Sequence, residues 1–155
     1  MLKVGPKILS LVGRSGVGKT TVLESWLPYL QEQGYRVGLV KHSHHPLADD
    51  PPQKDTARLS ACAWSLLSTP SGMQIRGQLE WTALVEWLSN QVDLVLVEGG
   101  KTSPFLKIEV VRQHPPIMPI NQVVASLGQA VAGLPHLAWG DPAGWTRFWQ
   151  DLAGP

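Results

Sequence analysis

Apolar residues fall first in a short unbroken run and then at helical spacing. Ile8 to Val12 is almost wholly apolar and ends at Gly13, the pattern of a strand buried on both faces of a parallel sheet. From Thr20, Val22, Leu23, Trp26, Leu27 and Leu30 share one helical face, with Glu24 and Ser25 opposite. Pro28 falls inside this helix and removes the bond to the Glu24 carbonyl, so a kink is expected, and Gly34 supplies the stop. Arg36 to Val40 reads as the next strand. His42 to Lys54, rich in Pro, His and Asp, reads as loop, and Asp55 as the cap of a helix from Thr56 to about Leu66. The pattern then predicts a strand over Met73 to Arg76, a helix over Leu79 to Leu88 and a buried strand over Asp93 to Val97. Leu106 to Val111 alternates apolar and charged residues, which predicts a strand nearer a sheet edge. Two short apolar runs follow, Gln122 to Ala125 and His136 to Trp139, before a closing helix from about Pro142 to Leu152.

Composition narrows the class. A chain of 155 residues with 43% hydrophobic residues and no repeat or linker reads as one domain, 1–155, with a sizeable core. A net charge of +1 argues against a nucleic-acid binder that works through bulk charge. Cys62 is the single cysteine, which suits a reducing compartment, and the N-terminal apolar run is too short for a membrane span. These features predict a soluble, cytoplasmic protein.

The candidate chemistry is concentrated in a few segments. Gly13-Arg14-Ser15-Gly16-Val17-Gly18-Lys19-Thr20 matches G-x-x-x-x-G-K-S/T, between an apolar strand and an amphipathic helix. Its glycines let successive N–H groups surround phosphate oxygens. Lys19 reaches the terminal phosphates, the Thr20 hydroxyl can hold Mg²⁺, and the helix dipole favours the anion. With alternating strands and helices, this predicts an α/β fold of the P-loop NTPase type, a mainly parallel sheet with helices on both faces. Glu98 ends an apolar strand beside Gly99 and Gly100, at the sheet edge where ligands bind. It is the candidate catalytic carboxylate, contacting Mg²⁺ or orienting water, with a loop-capping role as the alternative. Lys41-His42-Ser43-His44-His45 suggests zinc, but alternate side chains of an extended segment face opposite ways and no second thiolate is available. Solvated or hydrogen-bonded histidines, contact with phosphate or a second ligand through Lys41, and a metal site are the readings, the first favoured. Asp55 is a helix cap that could also serve as a second magnesium carboxylate.

Taken in order, GRSGVGKTT, LVKHSHH, KDTAR, LVEGGK and LKIEVVR make the chain resemble the MobB family of molybdopterin-guanine dinucleotide biosynthesis adapter proteins, over roughly Ile8 to Arg112. The resemblance implies a GTP-binding, weakly hydrolysing accessory protein that assists attachment of GMP to molybdopterin. It also implies a homodimer that works beside the molybdenum cofactor guanylyltransferase and molybdopterin-carrying proteins. Carried over by position, Gly13, Gly16, Gly18, Lys19, Thr20 and Thr21 would hold phosphate and Mg²⁺, and Glu98 would lie near the metal and the γ-phosphate. His44, His45 and Asp50 would face the nucleotide or cofactor. The chain departs from the family pattern at Pro46 and Ala48, at Gln53 before Lys54, and at Gly100, where an aromatic is common.

No N/T-K-x-D guanine motif occurs, so guanine preference rests on the resemblance alone. Asp141 is the candidate for contact with the base, and an N-cap of the last helix is the alternative. The rival function is a small-molecule P-loop kinase, for which Arg58, Arg76 and Arg112 would have to neutralise the transferred phosphoryl group. Trp81, Trp87, Trp139, Trp145 and Trp149 are either interface or core residues.

Overall fold

The computed structural model describes residues 5–43, 64–77 and 80–152. Its elements run β1 (Ile8–Val12), α1 (Lys19–Glu32), β2 (Val37–Lys41), β3 (Trp64–Thr69), β4 (Gly72–Gly77), α2 (Trp81–Ser89), β5 (Leu94–Glu98), β6 (Leu106–Val111), a 3₁₀ turn (Ile120–Gln122), β7 (Ala125–Gly128), β8 (His136–Leu137) and α3 (Pro142–Asp151). Six strands form one sheet in the order β2-β5-β1-β6-β7-β8, and every neighbouring pair is parallel. The expected α/β architecture is therefore present.

Strand alternation explains the two layers. On β5, Leu94 and Leu96 join Leu9, Leu11, Ile108 and Leu127 in a core closed by Trp26 of α1 and by Trp145 and Trp149 of α3. Val95 and Val97 point the other way, to Val85, Trp81 and Leu88 of α2. The first layer is tied by aromatic stacking. Trp26 lies on Trp145 at 3.9 Å between centroids, Tyr35 meets the edge of Trp149 at 5.2 Å, and the Trp149 indole N–H donates to the Pro6 carbonyl at 2.8 Å. Such ring pairs add about 0.5–1.5 kcal/mol beyond their buried area. Trp145 and Trp149 are thus core residues, whereas Trp87 is 53% exposed.

Two expectations need correction. Leu106–Val111 is not near an edge, because it lies between β1 and β7. Its alternating charges mislead: Lys107 and Glu109 are buried on the face that loops cover, and backbone groups satisfy them. Trp64 to Leu66 belongs to β3 rather than to a helix, since it pairs antiparallel with Leu66↔Ile75 and its neighbours across a tight turn. The rest of that expected helix, with its cap Asp55, lies outside the described residues. Of the short apolar run Gln122 to Ala125, Gln122 closes the 3₁₀ turn and Ala125 opens β7. The expected helix at Pro28 does continue to Glu32.

Candidate phosphate-binding site

All the parallel strands end on one edge, so the segment after each strand converges there. Gly13 follows β1, His42 follows β2, Gly99 follows β5, Arg112 follows β6 and Ala138 follows β8. The loop after β1 has the backbone that phosphate cradling requires. Gly13 has φ +137°, and a methyl there would come within 2.6 Å of the Val110 carbonyl. Gly18 caps α1 with φ +100°, and its Cβ position lies 2.7 Å from the Trp139 ring. Only glycine fits either place.

Lys19 lies at the N-terminus of α1 and curls back, donating to the carbonyls of Arg14 at 2.8 Å and Gly13 at 3.3 Å. Thr20, one residue on, donates its hydroxyl to both Glu98 oxygens, at 3.0 and 3.1 Å. Lys41 stands 3.8 Å from the same carboxylate. Burial pushes the Lys19 ammonium below its ordinary value; Glu98 opposes this, while Lys101 and Lys41 add to it. Lys19, Thr20, Lys41, Glu98 and Lys101 share a cleft of about 590 Å³. Three ammonium groups around one carboxylate leave this cleft short of negative charge, which suits an anionic ligand. The Thr20 hydroxyl and the Glu98 carboxylate are hard oxygen donors of the kind Mg²⁺ takes.

The Gly99–Gly100 turn is shaped by its neighbours. The His42 N–H donates to the Glu98 carbonyl at 3.0 Å, and His42 stacks on Trp81 at 4.2 Å. A Cβ on Gly100 would come within 2.7 Å of the Trp81 ring, which accounts for glycine at this departure from the family pattern.

Arg14, Ser15, Gly16, Val17 and Thr21 lie on the loop and the first turn of α1 as the sequence predicts. Asp141 follows β8 by four residues. Its carboxylate accepts the Gly144 N–H at 2.8 Å and caps α3, the alternative named for it. His44, His45, Asp50, Asp55 and Arg58 lie outside the described residues. No cluster of three or more His, Cys, Asp or Glu that could hold a metal ion occurs among the described residues. None of their helices is long and apolar enough to cross a membrane.

Sequence reasoning assigned no role to Lys101 or His114 and read Trp139 only as an interface or core residue; all three also border this edge. Position was the available signal, because each follows a parallel strand by a few residues. Arg112 was considered only as a kinase arginine. Its guanidinium lies over the Trp139 ring, 4.5 Å from the centroid.

A sequence profile described as "Molybdopterin guanine dinucleotide synthesis protein B" matches residues 8–129, most of the chain. The chain belongs to the MobB family. Members similar to it include the molybdopterin-guanine dinucleotide biosynthesis adapter protein of Haemophilus influenzae, 34% identical over 77% of this chain and 72% of that one. The Escherichia coli adapter protein is 33% identical over 68% of this chain and 65% of that one. Among solved structures, Bacillus subtilis MobB superposes with a TM-score of 0.70 at 23% identity, covering 97% of this chain and 100% of that one. A homologue from Bacillus stearothermophilus gives 0.60 at 21% identity, over 91% and 93%. At these identities the structural likeness establishes the family's fold.

Proposed function

We propose that this chain is a GTP-binding adapter that assists attachment of GMP to molybdopterin in molybdenum cofactor biosynthesis. The supporting observation is the placement of Thr20 and Glu98, hydrogen-bonded to each other beside Lys19 and the glycine loop. In this reading the 13–20 loop surrounds the phosphates with N–H groups, and Lys19 exchanges its carbonyl contacts for phosphate oxygens. Thr20 and Glu98 would hold Mg²⁺, which supplies charge neutralisation at the terminal phosphates. Asp55 would be a further carboxylate for it. Glu98 also orients the water for a weak GTPase step. The base would extend past Gly18 toward Trp139 and Asp141, whose second carboxylate oxygen is available for it. His44, His45 and Asp50 would face the cofactor side.

The chain would act in the cytoplasm as a homodimer, beside the guanylyltransferase and molybdopterin-carrying proteins. The test is a reconstituted conversion of molybdopterin to the dinucleotide by the guanylyltransferase, with and without this chain. A rate or yield that rises with this chain and GTP supports the reading. No effect, with ATP binding at least as tightly as GTP in competition, would favour a phosphotransfer enzyme.

A further inference from the structure

A second cleft, of about 750 Å³, opens between Arg14–Val17 and the loop after β6; it adjoins the first through Ser15, Gly16 and Lys101, which line both, and does not include Lys19, Thr20 or Glu98. Its basic lining is Arg14, Lys101, Arg112 and His114, and no carboxylate borders it among the described residues. For a chain of net charge +1, three permanent cations and a histidine on one cleft are a concentration that repels itself.

The loop that presents them is held in place. Gln113 has φ 55°, the one positive value outside glycine among the described residues, and such a conformation persists only where the surroundings enforce it. Here Glu109, only 2% exposed, accepts the Ile117 N–H at 2.6 Å and the Met118 N–H at 3.3 Å from within the sheet. Arg14 reaches across from the phosphate loop to the Pro115 carbonyl at 3.4 Å. Arg112 is braced on Trp139. A buried carboxylate, a strained residue and a proline pair thus aim Arg112 and His114 at the face where Lys101 stands.

We propose that this cleft binds the phosphate group of a second molecule, a phosphomonoester, beside the nucleotide on the 13–20 loop. Guanidinium forks pair bidentately with phosphate oxygens, and several cations suit a dianion. The inference rests on the nucleotide reading above and deepens it: a dinucleotide joins two phosphorylated halves, and two adjoining anion sites would hold one each.

The test is isothermal titration of phenyl phosphate into the full chain saturated with Mg²⁺ and a non-hydrolysable GTP analogue. Saturable one-to-one binding is expected. Arg112→Gln and His114→Ala should each weaken it about fivefold or more, while in His114→Ala affinity for the analogue shifts by less than about threefold. A second arm uses Lys19→Ala without nucleotide, which should still bind phenyl phosphate, so that failure of the nucleotide reading leaves the cleft testable. Absence of saturable binding overturns the proposal. So does loss of the probe in Lys19→Ala, or parallel loss of nucleotide and probe in His114→Ala, since the cleft would then serve the nucleotide itself.

Discussion

The Thr20 hydroxyl and the Glu98 carboxylate meet across the mouth of the phosphate loop, 78 residues apart in sequence and joined at 3.0 and 3.1 Å. The parallel pairing of β1 with β5 sets this meeting, since Leu11 stands opposite Glu98 in the ladder. Because the hydroxyl donates to Glu98, the lone pairs of the Thr20 oxygen face away from the carboxylate, where a cation can take them. One hydrogen bond therefore orients the donor and supplies the charge.

Glu98→Gln keeps the shape and removes the charge. The variant should hydrolyse bound GTP about 10–100-fold more slowly, with GTP affinity changed by less than about threefold. Single-turnover hydrolysis beside an equilibrium titration separates the two effects. Affinity falling tenfold with unchanged turnover would contradict the role given to Glu98.

Lys107→Met removes the buried ammonium that donates to the Ser103 and Phe105 carbonyls at 2.5 and 3.0 Å. Two carbonyls then lose their donor, which should cost about 1–3 kcal/mol in urea unfolding. Desolvation holds the Lys107 pKa below 10.5, so the wild type gains stability as pH rises from that lowered value to 10.5. The variant should lack this rise, and a parallel rise in both proteins would contradict the assignment.

The carboxylate of Asp93 accepts the Arg36 N–H at 2.7 Å, and chiefly this bond, with the Arg36 side chain, holds its pKa below 3.8. A lowered carboxylate pKa contributes stability that is present above 3.8 and lost as pH falls through the folded-state value. Asp93→Asn should therefore be less stable than the wild type near neutrality, with the gap closing in acid. Thermal unfolding from about pH 6 to about pH 2 reads it, and a constant gap would count against this bond.

Much of this was legible in the chain because the signals are local. The loop 13–20, the apolar β5 ending in Glu98 and the spacing of Val22, Leu23 and Trp26 each carry their meaning within a few residues. The misread segments owe their state to distant partners. Lys107 and Glu109 look solvent-facing until the loops at Ser103 and Ile117 are seen to cover them. Trp64 to Leu66 takes its strand conformation from Ile75 to Gly77, and Arg112 comes beside the phosphate loop only through the sheet order. Pairing and loop coverage are long-range facts that periodicity does not encode.

The most direct test of the account is an equilibrium titration of the full chain and of Lys19→Ala with Mg²⁺ and GTP. The wild type should bind with roughly micromolar affinity, and the variant should bind at least about 100-fold more weakly. Its thermal midpoint should stay within about 2 °C, because the lost ammonium contacts only loop carbonyls near the surface. Undiminished GTP affinity in a folded Lys19→Ala protein would contradict the assignment of the Gly13–Thr20 loop as the nucleotide site.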